Sequence, residues 1–71
     1  MKDKTNIAII VWANIRKIQM VKKYSDSELA SVLKVTTRTL YNYDSRPELL
    51  TLEKVQSFID YVDVDMDYLL K

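Results

Sequence analysis

The apolar residues of this chain recur with helical spacing, and breaks in that spacing divide it into five helical segments. In the first segment, about residues 6–22, Val11, Ile15 and Ile18 share one face because residues three or four apart lie on the same side of an α-helix. No repeat or linker interrupts the pattern. The sequence therefore predicts an all-α fold, a compact bundle of four main helices and one short C-terminal helix in a single domain spanning residues 1–71.

The beginning of the first helix, about residues 6–14, is an extension that is apolar on more than one side. Ile9, Ile10 and Trp12 lie off the core face, and a helix that is apolar all round needs a second partner. Either the C-terminal segment of the same chain or a second subunit can supply it. The candidate dimer or partner surface comprises Ile9, Ile10, Trp12, Tyr61 and Tyr68.

The second and third helices are predicted from their caps and buried stripes. Ser25 begins the second helix, and Glu28, three residues later, completes a capping-box pattern in which its carboxylate reaches back to the cap. Thr36 begins the third helix, which places Leu40 and Tyr43 on its inner face and ends near residue 44. Only about three residues join the two helices. Ala30 is small enough to let them cross closely.

The C-terminal third is predicted to hold a loop and two further helices. Residues 44–50 contain Pro47, the single proline of the chain, and are typical of a loop. Thr51 can cap a fourth, amphipathic helix, and Asp65 a short fifth one.

The middle of the chain has the organisation of a helix-turn-helix, residues 25–44. Two short helices joined by a tight turn, the second polar outside, are suited to placing a helix in the DNA major groove. If Leu40 and Tyr43 are buried, one outer face must hold the residues at the related positions, which are Thr37, Arg38, Tyr41 and Asn42.

Three segments, SDSELA at 25–30, VT at 35–36 and TRTL at 37–40, resemble the Cro/cI repressor-type helix-turn-helix, also called XRE-type. The closing stretch at 62–70 is similar to the end of that family's domain, so the resemblance covers about residues 14–70. It implies that the base-contacting residues are Thr36, Thr37, Arg38, Tyr41 and Asn42. Arg38 would then bond guanine O6 and N7, and Asn42 adenine N6 and N7. Candidates for phosphate contacts are Lys22, Lys23, Ser25, Ser27, Lys34 and Arg46.

The sequence departs from the family's pattern at three positions. Lys34 stands where the turn usually has Gly, so we expect a left-handed backbone there at a cost of roughly 1 kcal/mol. Asp26 stands where a phosphate-binding Gln is usual, and its charge repels phosphate. Gln19 replaces a first-helix Arg that often pairs with the acid closing the motif, which places Gln19 opposite Asp44.

Charge and composition limit the chemistry open to this chain. Among its 71 residues, net charge +1, there is no Cys and no His. No Gly-rich phosphate loop is present either, so we expect no enzyme activity, metal, cofactor or small-molecule substrate. The first 24 residues carry six Lys or Arg against Asp3, whereas residues 48–71 carry Lys54 and Lys71 against six acids. An anionic partner is therefore expected near the basic first helix.

Together these features predict a sequence-specific transcriptional regulator that binds double-stranded DNA as a homodimer on a two-fold operator. The longest apolar run, residues 7–13, is far below the roughly 20 residues of a membrane span. The expected location is the cytoplasm of a bacterial host, with a phage as a possible origin. Two alternatives stay open. One is a helical protein-interaction module such as an antirepressor or adaptor, and the other is a DNA-bending accessory protein like an excisionase.

Overall fold

The computed structural model describes the backbone of Lys4–Leu70 and the side chains from Ile7 onward; residues 1–3 and 71, which the predicted domain includes, lie outside the described residues. Within this range the chain forms five α-helices and a 3-10 turn, and it contains no strand. Their bounds are α1 Lys4–Lys22, α2 Asp26–Leu33, α3 Thr37–Ser45, the 3-10 turn Pro47–Leu49, α4 Leu52–Val62 and α5 Met66–Leu70. The predicted all-α bundle is confirmed. None of these helices is both long enough and apolar enough to cross a bilayer.

The helices begin at the caps that the sequence predicts. Ser25 Oγ accepts from the Glu28 amide at 3.0 Å, and Thr36 and Thr51 accept in the same way at the starts of α3 and α4. Asp65 Oδ1 accepts from the Tyr68 amide at 3.0 Å. One detail is wrong: the Glu28 carboxylate does not reach back to Ser25 but accepts from the Tyr61 hydroxyl of α4 at 3.2 Å. A tertiary partner has replaced the local one.

Three helices, α1, α2 and α4, are each followed directly by a residue with positive φ. Lys23, Lys34 and Asp63 have φ of 63°, 62° and 61°. Left-handed positions of this kind are usually filled by Gly, and this chain has none. The left-handed conformation expected at Lys34 is confirmed. After it, the Val35 amide bonds to the Ala30 carbonyl at 2.9 Å and ends α2.

The hydrophobic core draws on all five helices. α1 packs against α5 and the 3-10 turn, while α2 packs against α3 and α4. The radius of gyration is 11.3 Å, close to the roughly 11 Å expected of a compact domain this long. The largest completely buried side chains are Ile15, Leu29, Leu33, Leu40, Phe58 and Leu69.

Trp12 belongs to this core, so its assignment to an exposed partner surface was wrong. The residue is only 4% exposed. Its indole Nε1 donates to Asp44 Oδ1 at 2.7 Å, and its ring meets Tyr43 edge-on at 5.2 Å between centroids. The partner that covers Trp12 is therefore the end of α3 in the same chain. Ile9 and Ile10 do remain exposed.

Candidate nucleic-acid interface

The two faces of α3 are divided as the sequence predicts. Leu40 and Tyr43 are buried, while Arg38, Tyr41 and Asn42 are exposed. Thr37, on the same outer side, is half-buried, and Thr36 is exposed just before the helix begins. The structure thus brings the five candidate base-contacting residues together along one side of α3 and its N-terminus.

Arg38 and Asn42 are two exposed polar side chains of this face that form no hydrogen bond with another described side chain. Among the hydrogen bonds formed by the described side chains, residues 7–70, none involves the Arg38 guanidinium or the Asn42 side-chain amide. They lie four residues apart and are therefore neighbours on the helix surface. Their donors and acceptors are available to the edges of adjacent base pairs.

Tyr41 differs from them because its hydroxyl already has a partner. The hydroxyl donates to Asp26 Oδ2 at 3.0 Å, and this hydrogen bond raises the pKa of the Tyr41 phenol above its ordinary value. In this structure the part of Tyr41 that is available to a partner is therefore its ring.

The candidate phosphate-contacting residues lie at three places on the surface. Lys22 and Lys23 are exposed at the end of α1, close in sequence to Ser25 and Ser27 at the start of α2. Arg46 follows α3 and its Nε lies 3.4 Å from Glu48 Oε2. Lys34 stands apart from both groups, because it shares a surface depression with Ser57, Asp60 and Tyr61 of α4.

Arg16, which the sequence reasoning did not single out, links the three helices around this face. Its Nε and Nη2 donate to the two carboxylate oxygens of Asp44 at 3.1 and 2.7 Å. Its Nη1 donates to Asp26 Oδ1 at 2.9 Å. A single guanidinium on α1 therefore holds the first residue of α2 and the last turn of α3. We call Arg16, Gln19, Asp26, Tyr41 and Asp44, with Trp12, the Arg16 cluster.

Gln19 has a different role from the one that the family resemblance implies. It is buried, its Nε2 donates to Asp26 Oδ1 at 2.9 Å and to the Tyr24 carbonyl at 3.2 Å, and its Oε1 accepts from Arg16 at 2.7 Å. The expectation that Gln19 stands opposite Asp44 is wrong. Arg16, one helical turn earlier, takes that position because its longer side chain spans the gap to α3.

The Arg16 cluster also changes the electrostatics expected of Asp26. Hydrogen bonds from Gln19, then from Arg16 and Tyr41, hold the pKa of Asp26 below its ordinary value. The bond from Arg16 is the main cause of the lowered pKa of Asp44. Both carboxylates are ionised at neutral pH, yet both share the charge of Arg16. The repulsion of phosphate expected from Asp26 is therefore partly offset.

A spacing signal for this cluster was present in the sequence. Trp12, Arg16 and Gln19 follow one another at intervals of four and three, which places three hydrogen-bonding side chains in a stripe along α1 beside the apolar one. Reading α1 for its apolar residues alone missed it.

No protein-family model, curated protein or solved structure matches this chain. The candidate interface rests on the described side chains and their geometry.

Proposed function

We propose that this protein is a sequence-specific, double-stranded DNA-binding transcription regulator that inserts α3 into the major groove. The observation that carries the proposal is the outer face of α3, where Arg38 and Asn42 are exposed one turn apart and have no hydrogen-bond partner within the described chain. The groove is about 12 Å wide and accepts one helix. Arg fits the acceptor pair of guanine, and Asn fits the acceptor and donor of adenine.

The way in which α3 is attached to the rest of the fold supports the same function. A helix that reads bases must keep its side chains in a constant position relative to the DNA backbone. Leu40 and Tyr43 hold α3 to the core, and the bonds of Arg16 hold its last turn to α1. The resemblance to Cro/cI-type repressors favours the same reading.

The proposed regulator acts as a homodimer on a two-fold site. Four or five side chains on one short helix contact only a few base pairs, so one copy reads too little sequence to be selective in a genome. Two copies on half-sites one helical turn apart, about 34 Å, double the recognised sequence. Occupying such a site blocks polymerase sterically.

The test begins with selection of bound DNA from a random pool, followed by anisotropy titrations at constant salt. Arg38→Ala and Asn42→Ala are each expected to weaken binding to the selected site by about 5- to 150-fold, because each bidentate base contact contributes about 1–3 kcal/mol. Gln56→Ala, on the exposed side of α4, serves as the control and should bind normally. Unchanged affinity of both α3 variants would reject the groove assignment.

A protein-interaction module is the second candidate, and one observation favours it. Ile9, Ile10, Met20 and Val21 of α1 are all exposed, and clustered exposed apolar side chains often mark a protein contact. Under this alternative the selected pool yields no preferred sequence, and a protein partner is retained after nuclease treatment.

A further inference from the structure

One side of the molecule, where α5 lies against α1, exposes apolar side chains from both helices. The two helices are tied by Asn14, whose Nδ2 donates to the Leu69 carbonyl at 2.7 Å. To one side of this bond Ile7 and Leu70 line a cleft, and to the other Val21 and Tyr68 line another. Ile10 lies one turn from both Ile7 and Asn14. The exposed apolar residues of this α1–α5 face are 42–70% accessible, and they are Ile7, Ile10, Val21, Tyr68 and Leu70.

The two helices of the α1–α5 face carry opposite charges. Lys17 and Lys22 of α1 line the cleft next to Tyr68, whereas Asp67 lies in the first turn of α5 and Asp65 immediately precedes that helix. All four are exposed, and none takes part in the ion pairs formed among the described side chains, residues 7–70. The face is thus apolar in the middle, basic along one helix and acidic along the other.

We infer that this face is the contact surface between two copies of the chain, related by a two-fold axis that lies in the contact plane, parallel to α1 and between α1 and α5. A rotation about such an axis places the basic α1 of each copy against the acidic α5 of the other, and the apolar residues of the face meet. A partner that is only acidic or only basic matches one helix and opposes the other. A second copy matches both, so its charge pattern identifies the occupant.

The inference rests on the proposed function for its purpose, since a two-fold operator requires a two-fold protein. The α1–α5 face contains no residue of α3, so pairing leaves Arg38 and Asn42 accessible. It also covers Tyr68 and Ile10, two of the residues that the sequence marked as a dimer surface. Ile9, Tyr61 and the buried Trp12 are not part of it.

Charge reversal tests the pairing in the absence of DNA. Sedimentation equilibrium over a range of concentrations gives the dimer Kd of the whole chain and of Lys17→Glu and Asp67→Lys. Each variant sets like charges against each other twice in its homodimer, so its Kd should rise by about tenfold or more. An equimolar mixture of the two variants restores both attractive contacts, and its Kd should return to that of the original chain. Asp60→Lys, on α4 outside the face, is the matched control and should pair normally.

The possible outcomes distinguish failure of the proposed interface from failure of the proposed function. A chain that is monomeric at every concentration, reversals no different from the control, or a mixture that does not regain affinity would each overturn the inference. Thermal unfolding of each variant checks that it is folded. A monomer that still selects a DNA sequence would leave the proposed function standing, while a dimer of this design that binds no DNA would reject the function and keep the interface.

Discussion

Arg16 shows how much of this fold depends on one side chain. A guanidinium carries five N–H donors in a planar arrangement, and Arg16 directs them to Asp44, Asp26 and Gln19 while its Cζ lies 5.5 Å from the centre of the Trp12 ring. The side chain is 25% exposed, so these bonds are less screened than those of a free surface pair. A Lys at this position has no geometry to hold two helices at once.

Replacing Arg16 should therefore destabilise the fold. Arg16→Met keeps much of the apolar stem but leaves Asp26 and Asp44 without their cation, and we expect the free energy of unfolding in urea to fall by about 1–2 kcal/mol. Lys17→Met, one residue further on and exposed, is the matched control and should change it by less than about 0.5 kcal/mol. Equal stability of the two variants would show that the cluster contributes nothing.

The same cluster predicts a pH dependence. The folded-state pKa values of Asp26 and Asp44 are lowered, so their bonds stabilise the fold fully above the ordinary Asp pKa of about 4 and lose that effect as the pH falls through the folded-state values. We expect the free energy of unfolding to decline below about pH 4–5. Urea titrations at a series of pH values should show a shallower decline for Arg16→Met. A decline of equal steepness in that variant would place its origin elsewhere.

Tyr41 allows a separate prediction about DNA reading. Because its hydroxyl is engaged by Asp26, we expect the ring to supply the contact if α3 enters the DNA groove as proposed. Tyr41→Phe should keep the affinity for the selected site within about threefold, whereas Tyr41→Ala should weaken it by about tenfold, a loss of roughly 1.4 kcal/mol. Anisotropy titrations measure both. A large loss in Tyr41→Phe would mean that the hydroxyl leaves Asp26 to contact DNA.

At the scale of single residues, the sequence identified the outward side chains but few of their partners. Arg38 and Asn42 could be placed because burial of Leu40 and Tyr43 leaves them only the opposite face of α3. The bonds of Asp26 could not, because Arg16 and Tyr41 are ten and fifteen residues away. Their meeting depends on how three helices cross.

Because the chain has no glycine, residues with a Cβ occupy the left-handed positions that follow its helices. Three backbone positions are left-handed, at Lys23, Lys34 and Asp63, and each residue with a Cβ costs about 1 kcal/mol there. Asp tolerates this conformation better than Lys does. Of the three left-handed positions, Lys23 and Lys34 are therefore the ones where the residue type fits the backbone conformation least well.

Lys34→Gly tests this cost directly. Removing the Cβ should raise the free energy of unfolding by roughly 0.5–1 kcal/mol, since relief of the left-handed strain exceeds the added freedom of the unfolded chain. Lys34→Ala retains the strain and should give no such gain. As a second control, Gln56→Gly inside α4 should lower stability by about 1 kcal/mol. Chemical denaturation compares them, and a loss of stability in Lys34→Gly would refute the reasoning.

Helix boundaries were well predicted because caps act within one turn. Ser25, Thr36 and Thr51 each bond an amide three residues ahead, a distance along the chain that the sequence displays. The carboxylate of Glu28 was misplaced because Tyr61, 33 residues away, offers a competing donor. A capping prediction based on neighbouring residues fails where a second helix supplies a competing hydrogen-bond partner.

The whole molecule is held by one small core with little margin. A chain of 71 residues is expected to have a free energy of unfolding of about 4–10 kcal/mol. Phe58 is completely buried in α4, where that helix faces the rest of the core. Loss of one such side chain removes a large share of the total.

Phe58→Ala should accordingly lower the free energy of unfolding by about 3–5 kcal/mol, which leaves a substantial unfolded population if the original stability is at the lower end of its expected range. Leu52→Ala, at an exposed position of the same helix, should remain close to the original stability. Calorimetry with circular dichroism distinguishes them. A Phe58→Ala variant as stable as Leu52→Ala would contradict the assignment of Phe58 to the core.

The sequence by itself determined the five helices, their caps, the left-handed turn at Lys34 and the division of α3 into a buried and an exposed face. These properties depend on residues three or four positions apart, and spacings of that size can be recognised directly in the sequence. Only the tertiary structure decided that Trp12 is buried against α3, that Arg16 and not Gln19 meets Asp44, and that the Tyr41 hydroxyl is held by Asp26. The physical reason is that those contacts join helices whose crossing is set by packing of the entire core, which no local spacing encodes.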